Sequence, residues 1–282
     1  MNTKYINVEF HCHTNASDGT FSPSEVVENA KKKNLEILAI TDHDTIDGLD
    51  EALKKATELN IRLIPGIELS CTHNGESIHI LGYFRDDSYN SNELKDFLKE
   101  LKNSRIERAK KIVENLAKYF DIHLDCNAVL EKGEGVVARP HIAQSIIEAG
   151  YSYSWEYIFD KIIGNDSPAY IPYKKISVSE GISLLKKYNA VVILAHPKLI
   201  KKTPVEDFLN FDFDGLEAIY IQNFKKDTDY LISLCRRNNL LITCGSDFHG
   251  VHEGDAKHGD LGTMSIPVED LNKFLDFYNI KV

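Results

Sequence analysis

The feature that most narrows what this chain can fold into is a steady alternation of short apolar runs with longer stretches of helical periodicity. Strands are expected over residues 6–11, 37–41, 63–68, 77–83, 191–195, 215–220, 240–245 and 261–265, and helices over 24–33, 48–59, 179–187, 228–238 and 267–278. Apolar strands need helices to cover them, so this order of elements specifies an α/β fold. Ser22-Pro23-Ser24-Glu25 is a clear helix start, with a Ser cap and Pro in the first turn. The rhythm breaks from about Asn92 to Tyr173, where a charged helical pattern (93–119) is followed by further helical pieces at 125–132, 139–149 and 154–162, without a convincing strand. The expected organisation is therefore a barrel-type domain from residues 1–91 and 174–282, interrupted by a helical insertion, 92–173, that caps the substrate. A chain of 282 residues accommodates that arrangement.

Composition narrows the function classes. The formal net charge of −10 argues against duplex DNA, which ordinarily meets a basic surface, and leaves a small phosphorylated substrate compatible. No apolar run approaches the roughly 20 residues of a membrane helix, and Met1-Asn2-Thr3-Lys4-Tyr5 begins no signal-peptide pattern, so a cytoplasmic location is expected. Cys12, Cys71, Cys126, Cys235 and Cys244 are scattered without CxxC spacing and read as reduced thiols. The sequence carries no signal for an oligomeric state.

Chemistry-bearing residues fall in six short clusters at or within predicted strands. In Phe10-His11-Cys12-His13, the i, i+2 spacing points His11 and His13 to one face of a strand, a half-site for a transition metal. Asp18 follows on a loop able to fold back over them. Thr41-Asp42-His43-Asp44 ends an apolar strand at its carboxyl end, where α/β folds place their sites. Asp42 and Asp44 also read as caps of a turn and the following helix, a reading of equal weight for Asp44. Glu68, in Gly66-Ile67-Glu68, is a carboxylate inside an apolar strand, costly unless paired or metal-bound. His79 sits between isoleucines, His196 caps the strand at 191–195, and Asp247 and His249 repeat the i, i+2 geometry after Gly245. Individually these are unremarkable. Together they are nine N/O donors gathered toward strand ends, too many for one ion, and without a cysteine among them they suit Mn²⁺, with Zn²⁺ or Fe²⁺ as alternatives. His73, His123, His252 and His258 read as surface or loop residues.

As a set, His11-Cys12-His13, Asp18, Thr41-Asp42-His43, Gly66-Ile67-Glu68, His79, Ala195-His196-Pro197 and Gly245-Ser246-Asp247-Phe248-His249 resemble the motifs of the PHP (polymerase and histidinol phosphatase) family. The resemblance implies a distorted seven-stranded β/α barrel holding two or three divalent ions. It groups His11, His13, Glu68 and Asp247 on one ion, Glu68, His79 and His196 on a second with Glu68 bridging, and Asp18, His43 and His249 on a third. Asp18, where histidinol-phosphatase-like members often have His, resembles the branch of small nucleotide phosphoesterases, whose members remove the 3′-phosphate of 3′,5′-bisphosphonucleotides or degrade short RNA from its 5′ end. That branch has a helical insertion and a motif like Ala138-Arg139-Pro140-His141. Arg139 and His141 become candidate phosphate binders on that basis, with Lys174 approaching from the insertion. Glu68, Asp18 and His249 are the candidate catalytic residues. Where the family often shows a Tyr-His-Pro-Ser-His-like stretch, this chain has Ile221-Gln222-Asn223-Phe224, a departure that bears on substrate rather than on metal chemistry. The competing readings are an amidohydrolase-like enzyme, which commonly uses a bridging carboxylated Lys absent here from the matching strand, and a non-catalytic metal-binding module.

Overall fold

The computed structural model describes residues 4–132, 137, 139–172, 176–250 and 258–279. It divides into two compact units, residues 1–91 with 175–282, and residues 92–174.

In the first unit, β1 (Tyr5–Asn7) pairs antiparallel with β9 (Ser265–Pro267). The main sheet contains β2 (Ile37–Ile40), β3 (Arg62–His73), β4 (Glu76–Phe84), β5 (Ile176–Ser177), β6 (Ala190–Leu194), β7 (Gly215–Tyr220) and β8 (Leu241–Gly245). Its order is β2-β3-β4-β6-β7-β8, with β5 paired to β3. The sheet is mixed: β4 runs antiparallel to both β3 and β6, and the other pairings are parallel. The β2 and β8 edges are joined by residues 8–13. Glu9 bridges Leu38 and Cys12 bridges Phe248, and the Phe10 N–H donates to the Cys244 carbonyl. An edge strand with unpaired backbone groups is thereby avoided on both sides. Helices Pro23–Lys32, Leu49–Leu59, Val178–Lys187, Lys225–Arg237 and Val268–Tyr278 accompany the strands. Two of them start on full capping boxes, Ser22 with Glu25 and Ser177 with Glu180, in which each side chain satisfies a backbone N–H that the helix leaves unpaired.

Two expected strands are corrected. The 6–11 run is divided: only its start pairs as a strand, and its remainder bends away to close the main sheet, because its residues alternate partners between β2 and β8. The 261–265 strand moves to Ser265–Pro267, Gly262 taking a positive φ of 72° that interrupts extended backbone.

The second unit consists of helices Asn92–Phe120, Cys126–Lys132, Arg139–Glu148 and Trp155–Tyr157, the last continuing as a π-helical turn, Ile158–Ile162. Ile112, Leu116, Ile142, Ile146, Ile158 and Ile162 form a core of its own. Among the described residues no helix is long and apolar enough to cross a membrane, and all five cysteines are free thiols.

Candidate metal centre

Each cluster reaches the centre for a local reason. His11 and His13, two residues apart on the closing segment, are fully buried with ring centroids 5.2 Å apart. The loop that follows is tied down by Asp42, whose carboxylate accepts from the Thr14 N–H (2.7 Å), the Thr14 hydroxyl (2.8 Å) and the Ser17 hydroxyl (2.6 Å). That anchor returns Asp18 to the cluster, with Oδ1 3.3 Å from His249 Nε2 and 3.7 Å from His13 Nδ1. Beyond β2 the chain keeps pairing with β3: Glu68 N–H donates to the Asp42 carbonyl and Asp44 N–H to the Glu68 carbonyl. This sets His43 beside Glu68. Asp44 accepts the Ser70 N–H at 2.7 Å and so stabilises the turn. The β3–β4 hairpin places His79 opposite Ser70, diagonal to Glu68 on the same face. His196 and Asp247 follow β6 and β8 with positive φ values of 29° and 53°, a conformation that costs a non-glycine residue about 1–3 kcal/mol and is retained where the surroundings enforce it.

Glu68 is the hub. Its Oε2 lies 3.3 Å from His11 Nε2, 3.3 Å from His13 Nε2 and 2.9 Å from His43 Nδ1. Its Oε1 lies 2.9 Å from both His79 Nδ1 and His196 Nε2. Asp247 Oδ1 is 3.3 Å from His11 Nε2 and 3.2 Å from His13 Nε2. The four imidazole-to-carboxylate separations, 3.2–3.3 Å, match the edge of a tetrahedron whose centre lies about 2.0–2.1 Å from each corner, the usual bond length of a divalent ion to His and carboxylate. The buried His11 Nε2, His13 Nδ1, His43 Nδ1, His196 Nδ1 and Glu68 Oε2 make no hydrogen bond. Unpaired buried polar atoms are costly, and for those that face the cluster a cation removes the cost. The donor set therefore fits divalent metal. Among the described residues, overlapping groups with ligand atoms close enough to share an ion include His11, His13, Glu68 and Asp247; His43, Glu68 and His79; and His13, Asp18, His43 and His249.

The electrostatics agree. Burial opposes ionisation of Glu68, yet His43, His11 and His79 hold its carboxyl well below the ordinary range. Asp247 is held low in the same way, chiefly by His11. Burial, reinforced by His249 and His43, pushes His13 down to about 3, and burial pushes His79 down to about 4. Both are neutral at pH 7, the form that binds metal.

Arg139 and His141 lie in the other compact unit, where Arg139 opens helix Arg139–Glu148 and bonds to the Ile163 carbonyl (3.4 Å) and Asn165 Oδ1 (3.2 Å). Lys174 and His252 fall outside the described residues. His123 is exposed beside Asp121, and His73 packs on Phe208 and Phe211. His258, expected on the surface or a loop, lies in a half-buried bend, sets its ring centroid 4.2 Å from that of His249 and forms a further potential ligand group with Asp247 and His249. Sequence reasoning also passed over Glu9, Glu217 and Tyr220. Buried Glu9 accepts from the Ser246 N–H and hydroxyl and from the Gly262 and His11 N–H groups, while Tyr220 donates to Asp247 Oδ2 at 2.9 Å. A carboxylate inside an apolar strand, the signal that marked Glu68, was available for Glu9 and Glu217 too.

Gly245 packs directly against this group, since a Cβ there would lie 2.3 Å from both Glu217 Oε1 and His11 Cβ. Gly245→Ala is expected to lower stability by about 1–3 kcal/mol, the usual cost of overpacking, visible as a lower urea midpoint. An unchanged midpoint would show that the neighbours give way freely.

An α/β sheet that gathers buried histidines and carboxylates around shared cation positions defines a metal-binding protein of hydrolase type. The family model for the PHP domain matches residues 9–196, and the chain belongs to that family. It is 31% identical to the 5′-3′ exoribonuclease of Haemophilus influenzae, over 88% of this chain and 91% of that protein. It is 26% identical to the 3′,5′-nucleoside bisphosphate phosphatase of Chromobacterium violaceum, over 93% and 95%. A Bifidobacterium adolescentis crystal structure described as a metal-dependent phosphoesterase superposes with a TM-score of 0.82 at 29% identity, covering 97% of this chain and 96% of that one.

Proposed function

We propose that this chain is a metal-dependent phosphoesterase that hydrolyses the phosphoester on the 3′-oxygen of a small nucleotide, a 3′,5′-bisphosphonucleotide being the leading substrate. The carrying observation is Glu68, whose two oxygens face different sets of imidazoles and so suit a bridge between ions. Release of 5′-nucleotides from the 5′ end of short RNA is the second reading, favoured by the 31% identity to an exoribonuclease. The two share a bond: water adds to phosphorus and the ribose 3′-oxygen leaves.

The proposed cofactor is two or three divalent ions, Mn²⁺ first, on His11, His13, Asp18, His43, Glu68, His79, His196, Asp247 and His249. When bound, such ions bring the pKa of water down to about 7 and neutralise charge building on the phosphoryl oxygens. Glu68 fixes the spacing of the imidazoles. With two ions bound and the His13, Asp18, His43 and His249 position open, the proton needed by the departing 3′-oxygen is assigned to the His249–Asp18 pair, whose Nε2 and Oδ1 lie 3.3 Å apart. His249 Nδ1 is 2.7 Å from the Asp247 carbonyl, which keeps Nδ1 protonated and Nε2 turned to Asp18. In this reading the first unit is a distorted seven-stranded β/α barrel and residues 92–173 are a substrate cap, with Arg139, His141 and Lys174 binding a substrate phosphate. A guanidinium fork suits phosphate oxygens.

The test is a panel assayed with Mn²⁺: 3′,5′-bisphosphonucleotides, 5′-phosphorylated oligoribonucleotides, sugar phosphates, amides and lactones. Phosphate release from the bisphosphates supports the leading substrate, and stepwise 5′-nucleotide release from RNA supports the second. Amide or lactone hydrolysis without phosphoester cleavage overturns the proposal. Arg139→Ala is expected to raise KM for the preferred nucleotide roughly 10- to 100-fold, the scale of one lost charged hydrogen bond.

A further inference from the structure

Strand β7 reads Gly215-Leu216-Glu217-Ala218-Ile219-Tyr220, and all six residues are buried. A carboxylate at the centre of such a strand is costly unless both oxygens are used. Glu217 uses both, on two residues that arrive from elsewhere in the fold. Its Oε1 lies 3.0 Å from His11 Nδ1, and its Oε2 accepts the backbone N–H of His196 at 2.8 Å. Those residues meet different oxygens of one carboxylate: His11 faces Glu68 Oε2, and His196 faces Glu68 Oε1.

Each contact has a geometric consequence. With a carboxylate against Nδ1, the His11 ring carries its proton there and turns the lone pair of Nε2 toward Glu68 and Asp247, each 3.3 Å away. His196 holds a backbone conformation, φ 29° and ψ 63°, that a non-glycine residue does not keep unaided. The Glu217 oxygen on its N–H supplies a restraint at that point. Room for the arrangement comes from Gly245 on the neighbouring strand, where any Cβ would collide with Glu217 Oε1 and His11 Cβ. A register shift in the β7–β8 ladder between Glu217 and Ile219 accompanies it.

We infer that Glu217 is a positioning residue of the metal centre: one buried carboxylate that sets the tautomer of His11 and clamps the backbone of His196, so that both imidazoles present a nitrogen to Glu68. This rests on the metal-binding reading above. A purely structural role, satisfying two buried donors for the sake of the fold, predicts something different, and Glu217→Gln separates the two. An amide offers one acceptor and one donor, whereas His11 Nδ1–H and the His196 N–H both donate. A glutamine that keeps its oxygen on the His196 N–H turns its NH₂ to His11 Nδ1, and the clash is relieved by moving the ring proton to Nε2, the nitrogen that faces Glu68 and Asp247, with almost no change in volume.

Metal-free wild type and Glu217→Gln are titrated with Mn²⁺, free ion being counted by electron paramagnetic resonance, and the metal-free melting temperatures are compared. At least one Mn²⁺ is expected to bind about 10- to 100-fold more weakly in the variant, the scale found when a partner of a ligating histidine is removed, with the metal-free proteins melting alike. Equal Mn²⁺ affinity, or a loss confined to metal-free melting, overturns the inference. If the variant does not fold, the Zn²⁺-loaded wild type decides: a His11 ring proton on Nδ1 in long-range ¹H–¹⁵N spectra supports the inference, and one on Nε2 overturns it. Failure of wild type to bind Mn²⁺ would overturn the metal reading itself, and is distinguished by appearing in wild type as well as in the variant.

Discussion

Glu68→Ala is expected to lower phosphoester turnover by at least about 10³-fold. Removing a single preorganised electrostatic contributor from an active site commonly costs 10²–10³ in kcat. Glu68 is more than one contributor, because its two oxygens contact five imidazoles, those of His11, His13, His43, His79 and His196. Alanine deletes the shared ligand and also leaves those rings facing one another around a buried void, with Asp247 the carboxylate that remains beside both His11 and His13. Metal content should fall with activity. Phosphate release across a Mn²⁺ series, with bound metal counted at each point, is the measurement. Near-normal turnover at full metal exchange would mean that Glu68 bridges nothing.

That Glu68 could be singled out from the sequence follows from physical contrast. A carboxylate between Ile67 and Leu69 stands out because burial of an unpaired charge is prohibitive. The HxH and DxH spacings stand out because strand geometry forces i and i+2 to one face. Strand positions came through for a related reason: the apolar runs in β2, β6 and β7 are buried at every residue, and continuous burial leaves a continuous apolar signature. Long-range closure was not legible. Residues 8–13 read as one strand with the residues before them, since local pattern carries no information about which two distant edges a segment will join. The antiparallel setting of β4 was invisible for the same reason, although it is what brings His79 back to Glu68. His258 read as a surface or loop residue because it lies on no strand and has no periodicity to mark it; only the packing of its ring on His249 shows how near the centre that bend lies. Glu9 and Glu217 had the Glu68 signature, but no HxH or strand-end motif adjoined Glu217 to draw attention to it.

Stripping the ions should leave a protein whose stability runs opposite in pH to that of the loaded form. In the metal-free chain, burial works against protonated His43 and His249, but carboxylates win. Glu68 and Asp18 raise His43 from 6.5 to about 9, and Asp18 and Asp247 raise His249 from 6.5 to about 10. A histidine whose folded pKa is raised binds its proton more tightly folded than unfolded. Its stabilisation is full below the unfolded value of 6.5 and disappears as pH climbs through the folded value. Glu68, Asp18 and Asp247 are shifted the other way, so their contribution is present above ordinary carboxylate pKa values and fades only in acid. The metal-free fold should therefore weaken between pH 6.5 and 9. Metal binding reverses the sense, because an ion must displace the protons on His43 and His249, and displacement becomes easier as pH rises. At free metal about 1,000-fold above Kd, binding adds about 4 kcal/mol, or roughly 8–16 °C in melting temperature for a chain of this size. The gap between loaded and metal-free melting temperatures should widen steadily from pH 6 to pH 9. A gap that stays constant, or narrows, over that interval would mean that His43 and His249 carry no proton that the ions must replace.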